Sequence, residues 1–302
     1  MKRRVVLAAL LLGGGVAVFL LQRSGASAPI TPRPLLYLLA DTQREAERIP
    51  LALTRVSDAE EMKAGEELAR ESGLLSSKEM SVDDVRITEY LNNVGTAVAK
   101  DVQRKAIRYH FYLDGNKNWV NACSLPGGYI IVGRGLLEFL QSEDELAAVL
   151  GHEITHVDNR HAIERLQYKL ASRKLGLEEI YQLGSPAVEL FKAGYTKEQE
   201  LEADRLGLEL AVEAGYSPAG SVNLMQRFEK LEALYQQGRA GSPIEEIAEV
   251  PFDAIEEYFR SHPPASDRRS ALQIEIREKN WNELAPVRPL ATRSPESTLE
   301  RR

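Results

Sequence analysis

The stretch Ser142-Glu143-Asp144-Glu145-Leu146-Ala147-Ala148-Val149-Leu150-Gly151-His152-Glu153-Ile154-Thr155-His156 decides how this chain folds. It opens as a helix should. Ser142 is a capping residue, Glu145 stands three positions on to reach back, and acids fill the first turn beside the positive end of the helix dipole. Leu146, Val149, Leu150 and Ile154 recur at helical spacing and form an apolar stripe able to anchor the helix in a core. A helix turns about 100° per residue, so His152 and His156 fall one turn apart on one face and can share one metal ion. Glu153 lies beside that face, within reach of a water held there.

A second segment has the same construction. Thr196-Lys197-Glu198-Gln199 is a capping box, and Gly215 before Tyr216-Ser217-Pro218 is a helix stop. Between them Glu200 and Asp204 share a face. The H-E-x-x-H pattern is that of zinc sites, where a catalytic ion takes three protein ligands and leaves a fourth position for water. Glu200 completes a His₂Glu set with His152 and His156. Glu202 carries the same charge and stays open as the alternative. Asp204 can accept the second ring N–H of a ligand histidine and fix its tautomer. A His pair at this spacing is by itself more often a solvated face or a satisfied core pair. The intervening Glu153, two capped helices and the downstream Glu/Asp pair outweigh that reading.

Composition sets the frame. A chain of 302 residues with 43% apolar content can build one large or two small domains. Its single cysteine, Cys123, excludes an internal disulfide and a cysteine-based zinc site, and reads as a small buried apolar residue. The net charge is −7 and no basic stripe follows the N-terminus, so nucleic acid is not an expected partner. Lys2-Arg3-Arg4 precede an uncharged, mostly apolar run from Val5 to Leu21 and then small residues through Ala28. Residues 1–28 therefore read as an export signal or an uncleaved anchor, the only expected contact with a membrane. Either form places the remainder outside the cytoplasm, in a bacterial periplasm or facing it from the membrane.

Residues 29–55 read as a linker and helical segment. A helix from Ser57 through Glu71 begins with the capping box Ser57-Asp58-Ala59-Glu60, and another runs from Val82 towards Gln103. The period then changes. Tyr109, Phe111 and Leu113 alternate with His110 and Tyr112 as a strand, followed by strands over Trp119 to Ser124 and Tyr129 to Val132. Helices are expected again from about Ala219 to Gln237 and Ser266 to Lys279, with residues 281–302 as a flexible tail. The fold class is α+β, mainly helical, with a small three-stranded sheet beside the active-site helix.

The sequence resembles the zinc metallopeptidases that include the HtpX-type quality-control proteases, the CaaX prenyl-protein proteases and the β-barrel assembly-enhancing protease. Four ordered motifs carry the resemblance: His152-Glu153-x-x-His156, Glu200-x-x-x-Asp204 continuing as Arg205-Leu206-Gly207, Asn121-Ala122 to Pro126-Gly127-Gly128, and Ser261-His262-Pro263-Pro264 with Arg268. The chain departs from those families in lacking internal transmembrane helices and a following helical repeat array.

The resemblance implies a zincin-like domain over residues 56–280 holding one zinc ion per chain, with Glu153 as general base. It implies an endopeptidase of protein quality control acting on unfolded or misassembled cell-envelope polypeptides, with envelope assembly machinery as a further partner. The alternative is a latent zinc protein that mainly holds such clients or machinery in a chaperone-like way. As in the family, the Gly128–Val132 strand is expected at the sheet edge beside the zinc, making Asn121, Gly128, Tyr129, Ile130 and Ile131 candidates for pairing an extended substrate. His262 is expected near the zinc, as a transition-state stabiliser or a fourth ligand.

Overall fold

The computed structural model describes residues 56–75, 81–164, 195–239, 258, 262–281 and 287–290. All of them belong to the unit Thr54–Arg302. The expectations for residues 1–28 and 29–55 lie outside the described residues. In chain order the described elements are α1 (Asp58–Glu71), α2 (Val82–Val98), β1 (His110–Asp114), β2 (Ala122–Leu125), β3 (Tyr129–Gly133), α3 (Arg134–Phe139), α4 (Glu143–Asp158), α5 (Lys197–Glu213), α6 (Ala219–Arg239) and α7 (Ala265–Glu278). Among the described residues no helix is long and apolar enough to cross a membrane.

The capping residues start helices where their chemistry predicts. Ser57 with Glu60 and Thr196 with Gln199 form complete capping boxes on α1 and α5. On α4 the Ser142 hydroxyl accepts from Glu145 N, but Glu145 does not return the bond to Ser142. Its carboxylate accepts from Gln141 N at 2.6 Å and from Arg227 through two bonds of 2.5 Å, so the tertiary partner draws it off the cap. Gly215, at φ +83°, ends α5 in the left-handed region that glycine enters without strain.

The sheet has the order β1-β3-β2, with β1 parallel and β2 antiparallel to β3. This corrects the expectation that β3 lies at an edge. Tyr129, Ile130 and Ile131 pair with His110, Phe111 and Tyr112 on one side and with Leu125, Ser124 and Cys123 on the other. Gly128 immediately precedes this central strand, and its carbonyl accepts from His110 N. The reason is that the chain runs from β1 past β2 before returning through the tight Pro126-Gly127-Gly128 turn, whose glycines sit at φ +79° and +95°. β3 is thereby inserted between the two earlier strands, and β2 becomes the edge strand beside α4.

Leu146, Leu150 and Ile154 are fully buried against the main core, as their spacing predicts. Each such side chain contributes about 1.5–3 kcal/mol relative to leaving it in water. α4 meets α5 at a glycine contact: a Cβ on Gly151 would stand 2.3 Å from Gly207 O, and one on Gly207 2.5 Å from His152 N. Only two glycines let these backbones touch. Within the expected tail, residues 281 and 287–290 are described. Residues 287–290 dock at the start of α4, where Ser142 bridges Pro289, Asp144 accepts from Arg288 N at 2.5 Å and Leu290 is buried.

Candidate active site

Helix α4 delivers His152, Glu153 and His156 on a fully buried segment, and α5 delivers Glu200 and Asp204 across the glycine contact. His152 Nε2 and His156 Nε2 are 3.1 Å apart, and each lies 3.6 Å from an oxygen of Glu200. Around a tetrahedral zinc with bonds of about 2.0–2.1 Å, neighbouring ligand atoms stand roughly 3.3 Å apart, so these two nitrogens and the Glu200 carboxylate, which offers a different oxygen to each, are spaced for one shared ion. Glu200 Oε1 is buried with no hydrogen-bond partner among the described residues. A buried anionic oxygen in that state is costly unless a cation meets it, and a zinc ion would meet it.

Glu202 does not compete for this place. Its carboxylate meets His161 Nε2 at 3.2 Å instead of the His152–His156 pair, and its side chain is 44% exposed. Asp204 takes the position its spacing predicts: its Oδ1 lies 2.9 Å from His152 Nδ1. Arg268 on α7 donates to Asp204 through Nε at 2.7 Å and Nη2 at 2.6 Å, and to the Tyr258 hydroxyl at 2.8 Å. Burial alone would push the Asp204 carboxyl up, but the Arg268 guanidinium and His152 hold it well below the usual range. Burial also opposes ionisation of Glu200, and His262, His152 and Arg268 overcome it to hold that carboxyl at about 2. Both groups are therefore anionic near neutrality, as a metal ligand and its orienting carboxylate must be.

Glu153 has the opposite character. It is 4% exposed, its Oε2 has no hydrogen-bond partner among the described residues, and burial raises its pKa against the charges of His152 and His262. A carboxylate made more basic and left with a free oxygen beside the ligands is suited to take a proton.

His262 is brought into the site. Its Nδ1 lies 2.6 Å from Glu200 Oε2 and its Nε2 3.3 Å from Asn121 Oδ1. Asn121 thus belongs to the site as well, just ahead of edge strand β2, whereas Gly128, Tyr129, Ile130 and Ile131 do not reach the open edge. Two residues that the sequence reading passed over contact His156: Tyr195 stacks on its ring with centroids 3.7 Å apart, and His161 Nδ1 lies 3.0 Å from its Nδ1. The signal for His161 was a third histidine close behind the motif. Regular helical geometry would have turned it about 140° away from His156.

The sequence model of peptidase family M48 matches residues 86–276. The beta-barrel assembly-enhancing protease of Escherichia coli (strain K12) is 28% identical over 209 residues, which cover 64% of this chain and 41% of that protein. The mitochondrial metalloendopeptidase OMA1 of Arabidopsis thaliana is 32% identical over 163 residues, covering 52% of this chain and 30% of that protein. The metalloprotease LoiP of Escherichia coli (strain K12) is 28% identical over 189 residues, covering 59% and 66%. The similarity thus spans less than half the length of the first two of these relatives.

Proposed function

The chain belongs to peptidase family M48, and from that premise we propose that it is a zinc-dependent endopeptidase acting on unfolded or misassembled cell-envelope proteins. One observation carries the catalytic part: a buried His152–His156–Glu200 triangle of ligand spacing, beside it a buried Glu153 oxygen without a hydrogen-bond partner among the described residues. His152, His156 and Glu200 would hold the ion. A bound zinc supplies a Lewis acid, which acidifies water and polarises a peptide carbonyl. Glu153 accepts the proton from the attacking water and afterwards returns it to the leaving amine. Asp204, held by Arg268, keeps His152 in the tautomer that leaves Nε2 free for the ion.

An extended chain can add to edge strand β2 through backbone bonds, which favours unfolded polypeptides over particular side chains. The pattern of residues 1–28 supports an extracytoplasmic setting, and the assembly-enhancing name of one relative supports envelope assembly machinery as a partner. His262 supports a second reading, in which the chain is held latent and mainly binds its clients. Both of its ring nitrogens are engaged by Glu200 and Asn121, so the ring closes over the ligand set.

The test compares wild type with Glu153→Gln on unfolded proteins, short esters and envelope extract. Wild type should release peptides from the proteins and the extract. Glu153→Gln should keep the metal and the fold while losing this activity by several orders of magnitude. Equal turnover by both would remove Glu153 from the mechanism, and turnover of esters alone would remove the peptidase reading.

A further inference from the structure

His156 has its own orienting chain, separate from the one that holds His152. Its Nδ1 lies 3.0 Å from Nδ1 of His161, and His161 Nε2 lies 3.2 Å from Glu202 Oε2. His161 is 4% exposed and lies beyond α4, which ends at Asp158; it opens a new helical segment over 161–164 after Arg160, whose φ is +66°. That left-handed residue breaks the helix in a turn, and its guanidinium is tied to Val56 O at 2.9 Å and to Asp58. A non-glycine residue in this region costs free energy, and the ties to Val56 and Asp58 offset it. The turn sets His161, the next residue, against the outer nitrogen of His156.

We infer that Glu202 and His161 form a positioning relay that fixes the tautomer and ring orientation of His156 for metal binding. The inference rests on the metal-site reading above. A nitrogen–nitrogen hydrogen bond needs one donor and one acceptor, and neutral imidazole has one of each. If His156 Nε2 gives its lone pair to the ion, His156 carries its proton on Nδ1 and donates it to His161 Nδ1. His161 must then carry its own proton on Nε2, where Glu202 accepts it. For neutral rings this is the one proton arrangement that satisfies all three groups with the metal in place. Both His161 nitrogens face this chain and turn away from the ligand triangle, so His161 is not a fourth ligand. The Tyr195 ring, stacked at 3.7 Å, restrains the plane of His156 from the side. Each histidine ligand is thus oriented by a carboxylate on α5, Asp204 directly for His152 and Glu202 through an inserted imidazole for His156.

The experiment measures zinc affinity of the intact chain by competition with a chromophoric chelator, with melting of the metal-free protein as a control for packing. His161→Phe keeps a ring and removes the acceptor, and it should weaken zinc binding about 10–100-fold, as loss of a ligand's orienting partner does. His161→Asn places an amide oxygen where Nδ1 stood and should recover most of that loss. Glu202→Ala should give a smaller loss, because water can take the place of a half-exposed carboxylate. Wild-type affinity in His161→Phe, or equal losses in the Phe and Asn variants, would overturn the relay while leaving the metal site standing. Absence of zinc binding by wild type would overturn both. Should His161→Phe fail to fold, Asn against wild type and Glu202→Ala still decide: unchanged affinity in Glu202→Ala with a large loss in Asn contradicts the relay.

Discussion

Asp204 stands between two buried partners, with one oxygen 2.9 Å from His152 Nδ1 and its carboxylate gripped by Arg268 through bonds of 2.7 and 2.6 Å. The carboxylate is thus fixed before it fixes the histidine. Asp204→Asn keeps the shape but loses the charge, and zinc affinity should fall roughly 10–100-fold. Arg268→Ala leaves a buried carboxylate without its cation, and removing one partner of such a pair costs about 3–5 kcal/mol. Denaturant unfolding of the metal-free chain measures this second effect, and a loss below 1 kcal/mol would show that Arg268 is not structurally required.

The ligand assignment predicts metal content. Purified protein should carry about one zinc, and His152→Ala, His156→Ala and Glu200→Ala should each lose it under the same purification. Glu202→Ala should retain it, because that carboxylate faces His161 and not the ligand triangle. Elemental analysis showing the reverse for Glu200 and Glu202 would exchange their roles.

His262 gives a prediction whose sign decides its role. In the structure neither ring nitrogen is available to a carbonyl, since Glu200 and Asn121 hold both. Removing the ring should therefore open the site, so His262→Ala is expected to raise peptidase activity and tighten binding of chelating inhibitors. A fall of about 10²-fold in kcat would instead assign His262 as a donor to the developing oxyanion. No change in either measurement would leave it without a role in the reaction.

The glycine contact between α4 and α5 controls the distance from the histidines to Glu200. Gly207→Ala would place a methyl 2.5 Å from His152 N, against backbone that cannot yield locally. The helices should separate, with an overpacking cost of about 1–3 kcal/mol and a drop in zinc affinity although no ligand has changed. An exposed α5 position such as Arg205→Ala serves as the control for helix propensity. Wild-type stability and metal affinity in Gly207→Ala would show that the contact does not set the site.

What the sequence determined by itself is what lies within a helical turn or a strand repeat. Ser57, Ser142 and Thr196 marked helix starts, Gly215 a helix stop, and the alternation around Phe111 a strand. The same short-range geometry put His152 and His156 on one face and Glu200 and Asp204 on another, so most of the candidate site was legible before any long-range contact was known. Such features depend on about 100° per residue or on alternation, and the local chain obeys both.

Only the tertiary structure decided which groups meet across elements. Glu200 and Glu202 have the same charge and sit two residues apart, and only the packing of α5 on α4 at Gly151 and Gly207 sets Glu200 against His152 and His156 and Glu202 against His161. β3 is central because it pairs with β1 on one side and β2 on the other, an arrangement that a run of apolar residues does not encode. Arg268 found Asp204 across 64 positions, and His161 reached His156 through a left-handed turn at Arg160 held by Asp58 far up the chain. Those contacts depend on how surfaces pack and where buried charges are met, and periodicity carries no record of either.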